Sequence, residues 1–184
     1  MFSILIIFSI MYANTLAQIP IFEDPQISPM ENFDKSQYIG DWYEIARIPN
    51  IFELGQKCST FTYKLNERKG SLFEVITTKS EITNKIHKQI AINSPARDQP
   101  ASVFNVYYAW LIKIGKLTIL STDYKNYAVK TLVTPLIGTS RLQMAWILSR
   151  NPTLSSEYHQ LAEDVLRANN ISPATLKPTN QIDC

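Results

Sequence analysis

The stretch Tyr38-Ile39-Gly40-Asp41-Trp42-Tyr43-Glu44-Ile45-Ala46-Arg47 sets the pattern for the rest of the chain. Asp34 can cap a short helical turn through Gln37, and Gly40 then releases the backbone into an extended run. From there strand-like runs recur with turn signals between them. They fall near 41–48, 57–65, 71–78, 85–92, 102–109, 116–122, 127–134 and 142–149. Asn66 to Gly70 makes a short hairpin loop, and Asn93-Ser94-Pro95 breaks the fourth run from the fifth. Gly115-Lys116 and Asp123 to Asn126 mark later turns, and Pro135 and Gly138 bracket the last. Eight successive strands with short connections describe an all-β, up-and-down antiparallel meander. An open sheet would leave two unpaired edges, which closure into a barrel removes. Eight strands enclose an interior just wide enough for side chains or for one small ligand. Alternation alone cannot separate a filled barrel from a hollow one, because rows such as Phe61 and Tyr63 can line or fill it.

A different period follows the strands. Tyr158, Leu161, Ala162, Val165 and Leu166 repeat at helical spacing, with Glu157, Glu163, Asp164 and Arg167 largely off that stripe. Asn169-Asn170 and Pro173 end it. One such helix cannot bury its apolar face alone, so it is expected to pack on the outside of the sheet, with Ser172 to Cys184 returning along the surface. At the other end, Met1 to Met11 is almost wholly apolar and too short for a spanning helix, which needs roughly 20 such residues. Thr15-Leu16-Ala17 offers a small-residue cleavage site, so residues 1–17 read as a secretory signal peptide and 18–184 as one domain. Residues 18–33, with Pro20, Pro25 and Pro29, form an extended lead-in.

Composition narrows the function classes. The chain of 184 residues is 45% hydrophobic and carries a net charge of only +2, so it lacks the basic stripe that nucleic-acid binding asks for. With five glycines it offers no Gly-rich phosphate loop, and it has no nucleophile elbow. Two well-separated histidines, His87 and His159, read as rim or solvent residues and build neither a zinc site nor a triad. No metal or cofactor is therefore expected; a bilin or lipid would be cargo. The even pair Cys58 and Cys184 in an oxidising compartment points to one bridge, against two free thiols or a link to another chain. Asn170-Ile171-Ser172 fits a glycosylation acceptor, with Pro173 after it as a discouragement.

Three motifs carry a resemblance. Gly40-Asp41-Trp42-Tyr43 resembles the first lipocalin signature, Thr122-Asp123-Tyr124 the second, and Ala145 to Pro152 with Arg150 the third, in the right order and followed by the helix. Within that family the chain is most similar to the apolipoprotein D and Lazarillo group: Glu31 to Asp34, Asp123 to Ala128 and Trp146 to Pro152 read like it. Cys58 and Cys184 match one of the group's two disulfides, and no cysteine is present for the other. The resemblance implies an eight-stranded lipocalin barrel with one external C-terminal helix, in which Arg150 lies across Trp42 at the narrow end. Gly40, Trp42, Thr122, Asp123, Tyr124 and Arg150 are then structural, and function lies at the open end.

Strand alternation combined with that pattern yields a candidate ligand-binding set. Cys58 faces outward to reach the tail, so Phe61 and Tyr63 face in. Glu74 suits solvent, which turns Phe73, Val75 and Thr77 inward. Phe104, Val106 and Tyr108 point inward on the fifth strand, Leu117 and Ile119 on the sixth, and Met144, Trp146 and Leu148 on the eighth. The counterpart of Trp146 lines the pocket in the resembled group. Phe52, beside Ile51, flanks the mouth. Lys130 stays open: plain alternation sends it to solvent with Val129 and Thr131 inside, whereas the family register turns Ala128, Lys130 and Leu132 inward. The expected function is a secreted, non-enzymatic carrier of a small hydrophobic ligand (fatty acid, sterol, retinoid or bilin). The isomerases of the family use a free cavity thiol, which a bridged Cys58 would not supply. The alternatives are a bilin-binding pigment protein, or an extracellular protein with a largely filled barrel that meets a receptor or membrane surface through an apolar tip at Trp110-Leu111-Ile112.

Overall fold

The computed structural model describes residues 21, 25–50, 53–109 and 111–184. The expected leader, Ile51, Phe52 and Trp110 lie outside the described residues. The strands are β1 (Gly40–Arg47), β2 (Gln56–Asn66), β3 (Ser71–Ser80), β4 (Ile86–Pro95), β5 (Val103–Tyr108), β6 (Ile112–Thr122), β7 (Tyr127–Pro135) and β8 (Arg141–Ser149). Each pairs antiparallel with the next, and β1 pairs with both β2 and β8, so the sheet closes on itself. A short helix, α1 (Lys35–Tyr38), leads in from an Asp34 cap, and α2 (Ser156–Ala168) follows the barrel. Two turn assignments change. Gly115 sits inside β6 opposite Val106, where a Cβ would come 2.4 Å from the Val133 carbonyl oxygen. The residue is glycine because another strand's backbone approaches closely, not because the chain turns. Pro95 ends β4 rather than breaking the chain before it, and a proline is tolerated at a strand's last position.

The closed end is held by one side chain more than any other. Trp42 is fully buried, with its indole Nε1 donating to the Tyr38 carbonyl at 2.9 Å. The Arg150 guanidinium stacks 3.8 Å above the indole and donates to the carbonyls of Asp41, Ile39, Gln37 and Tyr124 at 2.8 to 3.1 Å. Gly40, at φ +95°, would place a Cβ 3.2 Å from that guanidinium, so both conformation and space require glycine. Asp123 accepts from the backbone N–H groups of Lys125, Asn126 and Tyr127, and Thr122 donates to the Tyr127 carbonyl. The Tyr124 hydroxyl accepts from the Asp34 N–H. The six signature residues thus lock the lead-in, β1, the β6–β7 turn and the end of β8 together.

A second core lies outside the barrel wall. Ala162 and Leu166 of α2 pack with Val129, Ala145 and Ile147, and Tyr158 stacks on Tyr127 at 5.7 Å. Leu161, expected in the apolar stripe, is 43% exposed at its edge. Beyond α2 the tail forms β9 (Lys177–Pro178) against β1. This tail fills a seam: β1 pairs with β2 only from Gly40 to Tyr43. Gln181 then donates to the carbonyls of both Glu44 and Ser59, and Cys184 is bridged to Cys58. Replacing Arg150 by Met keeps the stem over Trp42 but removes the donors. It should lower stability by about 2–3 kcal/mol, seen as a fall of roughly 5–10 °C in Tm by calorimetry.

Candidate functional site

Above the packed floor the barrel is hollow. A cavity of about 490 Å³ opens at the end carrying the β1–β2, β3–β4, β5–β6 and β7–β8 connections. That volume falls within the roughly 300–1,000 Å³ typical of small-molecule sites. Of the expected set, Phe61, Val106, Tyr108, Leu117, Lys130, Met144 and Trp146 line it. Tyr63, Phe104 and Ile119 face inward too but are buried in the floor, where Tyr63 packs at a tilt against Tyr38 and Phe104 meets Phe33 edge-on. Phe52 lies outside the described residues.

Phe73 and Val75 are corrections. They pair with Lys64 and Thr62 on the outer face of the β2–β3 ladder, while Glu74 faces inward opposite Tyr63 and Ile76 opposite Phe61. Glu74, Ile76 and Thr78 therefore line the cavity from β3. The solvent reading of Glu74 fails because a lysine meets it across the barrel. Lys130 is 2% exposed, its Nζ 2.7 Å from Glu74 Oε1 and 2.7 Å from the Tyr63 hydroxyl. It also sits 3.5 Å over the Phe61 ring and 5.1 Å from Trp146. The register resolves the ambiguity of β7, since Lys130 pairs with Ile119 and Trp146, both inward, while Val129 points to the α2 side. Burial pushes the Glu74 carboxyl up, but Lys130, Asn93 and Tyr63 outweigh it and hold it below the usual range.

The Tyr38, Trp42 and Arg150 floor, the closed eight-stranded wall and the outer helix find their match in one family. The lipocalin-like domain matches residues 33–181. The chain is a lipocalin. It is 32% identical to apolipoprotein D of Bos taurus over 160 residues, covering 87% of this chain and 83% of that protein. Two solved structures show the same fold. Lobster apocrustacyanin A1 superposes with a TM-score of 0.70 at 21% identity, over 89% of this chain and 93% of that one. Insecticyanin of the tobacco hornworm Manduca sexta superposes with a TM-score of 0.70 at 23% identity, over 86% of each chain. Outside its thiol-dependent isomerases, the family is one of non-enzymatic carriers. Among the described residues no cluster of His, Cys, Asp or Glu gathers that could hold a metal.

A second polar group, not anticipated from the sequence, borders the mouth of this lipocalin. Glu44 of β1, Arg47 and Glu53 share one buried knot: Arg47 pairs with Glu44 and lies 3.8 Å from Glu53, and Thr179 of the tail bonds Glu44. Glu53 also accepts from Asn50 and, at 3.3 Å, from the Trp146 indole. With one guanidinium for two carboxyls, Glu44 is pushed up to about 8, by burial first and the neighbouring Glu53 second. His87 is exposed, and His159 is half-buried and lies 3.6 Å from Glu163. The pH consequence follows from the sign at Glu44. The folded state retains a proton that the unfolded state releases, so stability falls as pH rises from about 4.5 through about 8. Glu74 acts oppositely, losing its contribution only as pH falls through the acid range. Urea midpoints across this range should decline toward alkaline pH in the parent protein and stay nearly flat in Glu44→Gln.

Proposed function

We propose that this lipocalin is a secreted carrier that holds one small hydrophobic molecule inside its barrel. The observation that carries the reading is the open cavity between Phe61, Val106, Leu117, Met144 and Trp146. Such walls favour a ligand by removing its apolar surface from water, worth about 25 cal/mol per Å². Secretion is supported by the apolar leader ending at Ala17, by the Cys58–Cys184 bridge and by the relation to apolipoprotein D. Fatty acids, sterols, retinoids and bilins all remain in the candidate cargo class. The site consists of the cavity-lining residues of β2 to β8, with Tyr108 at the mouth.

A second reading concerns how cargo arrives. Leu54, Ile82, Leu111 and Ile137 on the four connections around the mouth, and Ile86 and Ile112 at the adjoining strand starts, are exposed. This apolar rim and the open cavity below it support transfer at a lipid surface over the filled-barrel interaction protein.

Titration with all-trans-retinol should quench tryptophan emission with a one-to-one stoichiometry, because Trp146 stands in the wall. Leu117→Trp, which puts an indole into the cavity, should weaken binding at least tenfold with an unchanged circular-dichroism spectrum. Saturable binding that Leu117→Trp leaves untouched would place the ligand elsewhere and overturn the reading. Intact-mass analysis of the secreted chain should show a mature start at Gln18.

A further inference from the structure

An ion pair is an unusual thing to place in the depth of a pocket meant for apolar cargo. An isolated buried ammonium would be strongly unfavourable, and would also serve as an anchor for any anion entering the barrel. Here neither condition holds. The Lys130 ammonium gives one contact to Glu74 and one to the Tyr63 hydroxyl, both at 2.7 Å, and the face of Phe61 covers it at 3.5 Å. Two of its three donor positions are thereby hydrogen-bonded within the protein, and the Phe61 ring covers the ammonium. Glu74 is equally occupied: one oxygen takes Lys130 and Tyr63, and the other accepts from Asn93 at 2.9 Å. The remaining acidic group on the cavity wall, Glu53, is engaged by Asn50, Arg47 and the Trp146 indole. Lys113 touches the cavity only from an exposed position near the rim.

Among the described residues, the depth of the cavity therefore sums to zero charge, with no unpaired cation there to receive an anion. A carboxylate carried there would lose its water and gain no partner unless it broke the Lys130–Glu74 contact, which would strand Glu74 in turn. A hydroxyl, ester, ketone or plain hydrocarbon end meets no such obstacle. We propose that Glu74, by neutralising Lys130, makes this pocket selective for ligands that are uncharged at their buried end against ionised carboxylates of the same skeleton. Glu74 is then a specificity-determining residue, and the neutral alcohols, esters and sterols of the candidate class rank above the free acids. The inference rests on the carrier reading and narrows it.

Retinol and retinoic acid share one apolar body and differ at the end group, so their affinity ratio at pH 7.4 isolates the charge. The parent protein should bind the alcohol at least tenfold more tightly than the acid. In Glu74→Gln the freed ammonium becomes an anion anchor, and the ratio should move at least tenfold toward the acid. The double variant Lys130→Met with Glu74→Leu removes both charges together, which well-packed interiors tolerate better than a half-broken pair, and it should retain the preference for the alcohol. It keeps the test alive should the single variant fail to fold. A parent protein that binds the acid as tightly as the alcohol, or a folded Glu74→Gln with an unchanged ratio, overturns the selectivity proposal alone. Binding of neither ligand overturns the carrier reading and this inference with it.

Discussion

The stacking of Arg150 on Trp42 is the contact on which the barrel's shape depends. A closed sheet of eight strands needs one end sealed, because otherwise its interior is a wet channel with unsatisfied apolar walls. Trp42 supplies the plug, and the guanidinium spends its donors on the carbonyls of the approach to β1 and of the β6–β7 turn. These carbonyls lie at the end of α1, at the start of β1 and in the β6–β7 turn, where the guanidinium supplies donors. With the floor set by Trp42, Tyr38 and Tyr63, the inward side chains above it no longer have to fill the barrel. The hollow is a consequence of a floor that is complete without them.

The buried charged groups described in this wall follow a single rule, that each is paired with an opposite charge. Lys130 and Glu74 neutralise each other across the barrel, with Tyr63 and Asn93 completing their hydrogen bonds. At the seam where β1 leaves β2, Arg47 serves Glu44 and Glu53 together, and the tail brings Thr179 and Gln181 to the same place. The disulfide then fixes the end of that tail to β2. Buried pairs of this kind contribute little net stability, since desolvation offsets attraction, but they fix which strands face one another. They also decide what charge a guest in the cavity would meet.

Much of this was legible in the sequence, for identifiable reasons. The eight strands showed because polar turns punctuate them, and α2 because its stripe has a different period. The signature residues at the closed end sit in local motifs that sequence displays directly. What sequence hid were residues whose environment is set by distant partners. Glu74 looks like a solvent residue until Lys130, 56 positions later, is known to face it. The wrong facing of Phe73 and Val75 followed from that one assumption. The β2–β3 register itself, Asn66 paired with Ser71 across a short loop, held enough information to avoid it. Strand β7 was ambiguous because both its faces are covered, one by the cavity wall and one by α2, so hydrophobic alternation vanishes there. Gly115 imitated a turn because close backbone approach and chain reversal call for the same residue.

The central claim is an open, greasy, charge-balanced interior above a Trp42 floor. The most direct measurement is a crystal structure of the secreted protein grown with a brominated long-chain alcohol, with the bromine located by anomalous scattering. The account predicts a bromine peak inside the barrel among Phe61, Leu117 and Trp146, with Lys130 still in contact with Glu74. An interior packed solid with side chains, with bromine found only on the outer surface, would contradict it.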